Sequence, residues 1–296
     1  MNDNIEISEG CESCSSNETK NSFARRVFNS FGLASIGLIP FKGLKSSNLD
    51  IIEESLEIKT LDGICDSSLF YPKEGKHPSA LIWTDIRGLR ESFKLMGRRL
   101  ASEGYTVLIP NPFYRTSKAP APREDFNYSN LEHRAVAFKM MKPLLADGAA
   151  EKDTSSFINF LQNHNSVDSS RPMGVSGYCM GGPLSIRSAS VNNNLIKAVA
   201  SFHGGGLITN NSNSPHLLIE NINARFYIAI ADNDDKRNPN LKIKLRKVFG
   251  DNKKRAEIEV YDNMNHGWCV SDSSVYNYSG SEIAWNNLIQ MYSDEL

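Results

Sequence analysis

The sequence lacks two features that would point to a nucleic-acid or membrane partner. Its 33 Lys and Arg residues are balanced by 34 Asp and Glu residues, so the net charge of −1 creates no overall field to attract nucleic acid or an anionic membrane. It also has no apolar run of the ~20 residues that are needed to cross a bilayer as a helix. We therefore expect no nucleic-acid partner and no integral membrane span.

The cysteines are few, odd in number and far apart: Cys11, Cys14, Cys65, Cys179 and Cys269. This distribution argues against a disulfide framework and leaves at least one thiol free. Cys11 and Cys14 form a C-x-x-C pair in a polar tail, and without a second pair they do not predict a zinc site. We expect neither a metal nor a cofactor.

The first 48 residues differ in composition from the rest of the chain. Residues 1–20 are rich in Asn, Ser and Glu, a composition that cannot bury a core and therefore predicts disorder. Arg25 and Arg26 precede a short apolar run at 31–40, which resembles a twin-arginine export signal, although no Ala-x-Ala site follows. An amphipathic helix is the alternative, so both cytoplasmic and exported locations stay open.

Residues 49–296 alternate apolar runs with amphipathic stretches, which predicts one α/β domain with a mostly parallel central sheet and helices on both faces. Residues 51–60 and 65–71 predict a hairpin around Asp62-Gly63. Further strands are predicted at residues 80–83, 105–110, 171–176, 196–202, 225–231 and 256–261. Helices are predicted at residues 89–102, 154–161, 184–189, 241–249 and 282–292. The Pro-rich stretch 111–122 predicts a long loop.

The strongest chemical motif is Gly-Tyr-Cys-Met-Gly-Gly at residues 177–182, between a predicted strand and a predicted helix. This is the spacing of a nucleophile elbow, in which glycines two residues before and after the nucleophile allow a strained, closely packed turn. Cys179 occupies the nucleophile position, where the partial positive charge of the helix N-terminus favours the thiolate. The alternative is a buried cysteine in a Gly-rich turn such as a nucleotide-binding loop.

An acid and a base follow the elbow in the chain order that such a nucleophile requires. Asp232, Asp234 and Asp235 come directly after a predicted strand, and His266 follows the next strand. The spacing leaves room for one helix and one strand between Asp234 and His266. Taken singly, these residues also fit a solvated turn or a loop histidine.

These motifs together resemble the dienelactone hydrolase family, over the chain from about Leu49 to the C-terminus. The resemblance rests on the elbow, on residues 231–234, on the Asn-His-Gly turn at 265–267 and on the strand-end loop at 83–88. It implies the α/β-hydrolase fold and assigns Cys179 as nucleophile, Asp234 as acid and His266 as base. It also implies a small-molecule ester or lactone substrate and a monomer or small homo-oligomer without metal. Asp232 and Asp235 are alternative acids.

The sequence departs from the family pattern at two places. The family has a Glu that contacts the resting thiol, and this chain has the shorter Asp85, which either reaches the thiol or caps a turn. The family also places a substrate-binding arginine shortly after the catalytic histidine, where this chain has none, so a dienelactone substrate is in question. Other loops carry possible sources of positive charge: Arg87, Arg115 and Arg123.

The predicted chemistry is acyl transfer through a thioacyl-enzyme, with the backbone N–H groups of Met180 and Ile86 as oxyanion hole. His203, in a Gly-rich loop, is either a substrate contact or structural. Four aromatic residues are expected to form an acyl pocket or to lie in the core: Phe113, Tyr114, Phe202 and Trp268. Two other functions remain open, namely a redox-sensing thiol at Cys179 and a non-catalytic ligand-binding protein.

Overall fold

A computed structural model describes residues 49–296 and is built on an eight-stranded sheet. The strands are β1 (Ile51–Thr60), β2 (Gly63–Pro72), β3 (Ser79–Trp83), β4 (Thr106–Pro110), β5 (Met173–Tyr178), β6 (Ile196–Phe202), β7 (Arg225–Ala231) and β8 (Ala256–Tyr261). Their spatial order is β1-β2-β4-β3-β5-β6-β7-β8. Strand β2 pairs antiparallel with both β1 and β4, and all the other pairs are parallel, so the predicted hairpin and mostly parallel sheet are confirmed.

Seven α-helices flank the sheet in the described part of the chain. They are α1 (Glu91–Ser102), α2 (Leu131–Leu145), α3 (Ala149–Gln162), α4 (Gly181–Val191), α5 (Asp232–Arg237), α6 (Asn240–Asp251) and α7 (Tyr278–Glu295). A short 3₁₀ helix lies at Pro215–Asn221. No helix among residues 49–296 is long and apolar enough to cross a membrane.

The hydrophobic core has two layers, one on each face of the sheet. Leu81 and Trp83 of β3 belong to one layer, whereas Ala80 and Ile82 belong to the other, because successive strand side chains point to opposite faces. Helices α2, α3, α4 and α6 cover the first layer, and α1 and α7 cover the second. The prediction of helices on both faces is confirmed.

The strand order reverses between β3 and β5, and this reversal creates a crevice for a site. From β3 the chain adds β4 on one side and then returns to add β5 on the other. In parallel sheets of this kind, ligands bind outside the carboxyl ends of the strands where the order reverses. The loop after β3 and the elbow after β5 both begin at this crevice.

Several predicted boundaries move by a few residues, and two helices are new. Strand β5 begins two residues later than predicted, and helix α3 begins five residues earlier. Helices α2 and α5 were not predicted, whereas residues 111–122 form a loop as expected. The predictions for residues 1–48, including Arg25 and Arg26, lie outside the described residues.

Two glycines in helices differ in the space around them. A Cβ at Gly97 would lie 2.5 Å from the Phe70 ring and 2.9 Å from Ile109 Cδ1, whereas a Cβ at Gly250 would meet nothing within 4 Å. Alanine favours either helix by roughly 0.5 to 1 kcal/mol. We expect Gly250→Ala to stabilise the fold by that amount, and Gly97→Ala to destabilise it by about 1–3 kcal/mol because overpacking dominates. Urea unfolding measures the change in the free energy of unfolding for each variant. Changes of equal sign and size would contradict the prediction.

Candidate active site

The turn that carries Cys179 is held by very close backbone packing. Strand β5 ends at Tyr178 and α4 begins at Gly181, and Cys179 between them has a left-handed φ of 53°. A Cβ at Gly177 would lie 1.9 Å from the carbonyl oxygen of Gly181. Only glycine fits there, as the elbow motif predicts. Cys179 is a free cysteine and is partly exposed.

His266 and Asp234 meet at the carboxyl ends of β7 and β8. The Asp234 carboxylate lies in the first turn of α5, and its Oδ2 is 2.5 Å from His266 Nδ1. Asn233 Oδ1 accepts a hydrogen bond from the His266 backbone N–H at 2.9 Å, which fixes the position of the histidine. The side chain of Cys179 is close enough to His266 to raise the pKa of the imidazole. The three predicted residues are therefore brought together.

The two alternative acids have other partners. Asp232 Oδ2 accepts a hydrogen bond from Lys236 Nζ at 2.7 Å, and Asp235 Oδ2 accepts one from Lys242 Nζ at 2.5 Å. Of the three neighbouring carboxylates, Asp234 is the one that pairs with His266.

The environment of His266 favours its protonated form. Burial by itself lowers the pKa of His266, but the charge of Cys179 and the hydrogen bonds with Asp234 and Cys179 raise it well above its ordinary value. Negative charge beside an imidazole stabilises its protonated form, so these surroundings favour the imidazolium of His266.

Two backbone N–H groups border the crevice as candidate donors to an oxyanion. Met180 is the first residue after Cys179, and Ile86 lies in the loop after β3. A Cβ at Gly181 would lie 2.4 Å from the carbonyl oxygen of Trp83, so the elbow and the start of that loop are in close contact. Within residues 49–296, neither the Met180 N–H nor the Ile86 N–H donates a hydrogen bond to another residue.

Comparisons with known proteins identify the family. The model of the dienelactone hydrolase family matches residues 65–296. The chain belongs to the dienelactone hydrolase family. It is 24% identical to protein usf of Aquifex pyrophilus over 72% of this chain and 85% of that protein. It is 23% identical to a candidate carboxymethylenebutenolidase of Escherichia coli K12 over 74% of this chain and 78% of that protein.

A solved structure supports the α/β-hydrolase fold. A candidate dienelactone hydrolase from Klebsiella pneumoniae superposes with a TM-score of 0.72 at 21% identity, over 82% of this chain and 99% of that one. Family membership makes this protein a hydrolase.

Asp85 has different partners from those that the family resemblance implies. Its two carboxylate oxygens accept hydrogen bonds from Arg90 Nη1 at 2.7 Å and Nη2 at 2.9 Å, and Oδ1 also accepts the Arg87 backbone N–H at 2.8 Å. Among the described residues, the Asp85 carboxylate makes no hydrogen bond to Cys179. Asp85 thus caps a turn, which is one of its two predicted roles. Its main partner is Arg90, for which no role was predicted from the sequence.

The three arginines considered as sources of positive charge are each paired with a carboxylate. Arg87 lies 3.0 Å from Asp272, and Arg123 binds Asp125. Arg115 forms two bonds of 2.8 Å with the buried Asp153. Within residues 49–296, no group of three or more His, Cys, Asp or Glu side chains is arranged to hold a metal ion.

His203 is buried, and its ring packs against the ring of His266. Its ring centroid is 5.0 Å from that of His266 and 5.1 Å from that of Trp268. Neither ring nitrogen has a hydrogen-bond partner among the described residues. Burial, and then the charge of His266, hold the pKa of His203 well below its ordinary value, so this imidazole stays neutral. Three of the four predicted pocket aromatics belong to the core: Phe113, Phe202 and Trp268.

The buried neutral His203 predicts a specific dependence of stability on pH. Its pKa falls on folding, so the unfolded chain binds the proton more readily and stability is lost as the pH drops below about 6.5. In His203→Phe this loss should shrink by up to about 1.4 kcal/mol per pH unit, because the ring is kept and the titration is removed. Urea unfolding between about pH 7.5 and pH 5 measures this. Identical slopes in variant and wild type would rule it out.

Proposed function

We propose that this hydrolase cleaves a carboxylic ester or lactone with Cys179 as nucleophile, His266 as general base and Asp234 as the group that orients the base. One arrangement carries the proposal: His266 Nδ1 is hydrogen-bonded to Asp234 Oδ2 at 2.5 Å, and the Cys179 side chain interacts with the same imidazole. A nucleophile, a base and an orienting acid within hydrogen-bond reach are the requirement for nucleophilic acyl transfer.

The first half of the reaction acylates the thiol. The Cys179 thiolate attacks the carbonyl carbon, and the carbonyl electron pair moves to oxygen, where the N–H groups of Met180 and Ile86 stabilise it. When this intermediate collapses, the carbon–oxygen bond to the leaving group breaks and His266 gives its proton to the departing alkoxide. The products are a thioester and an alcohol, which remains attached to the acyl chain if the substrate is a lactone.

The second half releases the acid. His266, now neutral, takes a proton from water as the water oxygen attacks the thioester carbon. The second tetrahedral intermediate expels the Cys179 thiolate, and the carboxylic acid leaves. Asp234 keeps Nδ1 of His266 protonated in both halves, so that the other ring nitrogen is free to exchange protons.

The charges around the site support an uncharged acyl group over a dienelactone carboxylate. Arg87, Arg115 and Arg123 are all paired with carboxylates. Residues 267–270, directly after His266, are Gly-Trp-Cys-Val and supply no cation. A substrate carboxylate would therefore have to displace an existing ion pair, which costs free energy.

The first test removes the proposed nucleophile. We expect wild type to hydrolyse a short-chain p-nitrophenyl ester, and Cys179→Ala to lose at least about a thousandfold of that activity. Cys65→Ala is the matched control, because burial raises the pKa of the Cys65 thiol to about 12 and this residue lies in the hairpin away from the elbow. It should retain wild-type activity. The ratio of p-nitrophenyl ester to dienelactone turnover measures the preference for uncharged acyl groups.

The outcomes separate the competing functions. Wild-type protein that hydrolyses neither substrate would contradict the proposal. If peroxide then oxidised Cys179 in that inactive protein, the redox-sensing function would gain support. Cys179→Ala with full activity would also contradict the proposal, because hydrolysis would then need another nucleophile.

The second test distinguishes the three neighbouring carboxylates. Asp234→Asn should lower kcat by roughly a hundredfold to ten-thousandfold, because the amide no longer stabilises the imidazolium or holds the correct tautomer. Asp232→Asn and Asp235→Asn are matched controls that lose only salt bridges to Lys236 and Lys242. Steady-state kinetics of the three variants decide among the acids, and a larger loss in either control would reassign the role.

A further inference from the structure

A chain of ion pairs joins the loop that follows β3 to the loop that carries His266. We call it the Arg90 clamp, and it consists of Arg90, Asp85, Asp272 and Arg87. Arg90 donates to both carboxylate oxygens of Asp85, at 2.7 and 2.9 Å, and to both of Asp272, at 2.7 and 3.0 Å. Arg87 Nη1 adds a contact of 3.0 Å to Asp272. One guanidinium thus bridges two separate loops.

Arg90 contacts residues on both sides of Ile86, whose backbone N–H is a proposed oxyanion donor. Asp85 precedes Ile86, and the backbone N–H of Arg87, which follows it, donates to Asp85 Oδ1 at 2.8 Å. The backbone N–H of Gly88 donates to the carbonyl oxygen of Asp85 at 2.9 Å, and Arg90 Nη1 donates to the carbonyl oxygen of Gly88 at 3.1 Å. Arg90 therefore contacts both ends of the turn formed by residues 85–88.

The other end of the clamp belongs to the loop of the base. Asp272 lies six residues after His266, in a segment closed by backbone hydrogen bonds from Val270 N to Gly267 O and from Ser273 N to Val270 O. The Arg90 and Asp85 side chains are only 12% and 13% exposed, so this pair is more strongly coupled than a surface ion pair.

Arg90 stands at a position where local structure disfavours it. It is the N-cap of α1, and its side chain makes no capping hydrogen bond. Ser, Thr, Asp or Asn would satisfy the free N–H groups there, and a cation opposes the positive end of the helix dipole. Arg90 is therefore unfavourable as an N-cap residue but makes four charged contacts with Asp85 and Asp272. We attribute its presence at this position to those contacts.

We infer that Arg90 is a positioning residue that holds the Ile86 N–H of the oxyanion hole in register with the loop of His266. This inference rests on the proposed ester or lactone hydrolysis and deepens it. The clamp acts on the tetrahedral intermediate, because the oxyanion donors are used only there. It does not act on the thiol itself, which His266 contacts directly.

The test compares acylation of Cys179 with its alkylation. Acylation by a p-nitrophenyl ester passes through an oxyanion, whereas alkylation by iodoacetamide needs the thiolate and forms no oxyanion. We expect Arg90→Met and Arg90→Lys to acylate about 10- to 100-fold more slowly, because misplacement of a catalytic group by ~1 Å costs about that much. The alkylation rate, assigned to Cys179 by peptide mass spectrometry, should stay within about twofold of wild type.

The same helix supplies a matched control in Arg98. Its guanidinium also bridges two carboxylates, with 2.8 Å to Glu53 and 2.7 Å to Glu91, and lies over an aromatic ring, that of Phe70. Arg98→Met should leave both rates unchanged. If the Arg90 variants do not fold, Asp272→Asn removes one charge from the clamp at a half-exposed position and should slow acylation in the same selective way.

The results separate the inference from the proposed function. Wild type that does not hydrolyse the ester would overturn both. If wild type is active, the inference is overturned by Arg90 and Asp272 variants that acylate at the wild-type rate. It is equally overturned if acylation and alkylation fall by the same factor, because that pattern indicates a general loss of structure. Selective loss of acylation in these variants, with Arg98→Met unaffected, supports it.

Discussion

The close contact between the end of β5 and the start of α4 is the constraint on which the site depends. The carbonyl oxygen of Gly181 occupies the space that a side chain at Gly177 would need, and the backbone of Cys179 is held at a positive φ. Cysteine has no intrinsic preference for that conformation, so the surrounding backbone imposes it. The thiol is thereby presented at the crevice between β3 and β5, with a helix N-terminus directly behind it.

Neighbouring charged groups at the site affect the protonation of individual side chains. The Asp234 carboxylate and the charge of Cys179 stabilise protonated His266, whereas His203, one ring away, is kept neutral by burial and by the charge of His266. On the other side of the crevice, Arg90 neutralises Asp85. The carboxylate in the loop after β3 is therefore balanced by its own partner.

Most of the sheet was predictable because its central strands are continuous apolar runs and its hairpin has a strong turn signal. Helix α2 was missed because exposed apolar residues such as Leu131 and Val136 obscure its buried positions, and because Pro143 lies inside it. The start of α3 was placed late for a similar reason: its first turn is Ala-Ala-Glu-Lys, which carries little periodicity.

Some features of the candidate site were likewise predictable from the sequence, and others were not. The sequence alone determined the turn that carries Cys179, since only glycine fits the contacts at Gly177, and it limited the proposed acid and base to a few residues after later strands. Tertiary structure decided which of three adjacent aspartates reaches His266, and it paired Asp85 with Arg90. It also placed His203 against His266. Such choices depend on side-chain directions across loops that are distant in the chain, and residue spacing does not encode those directions.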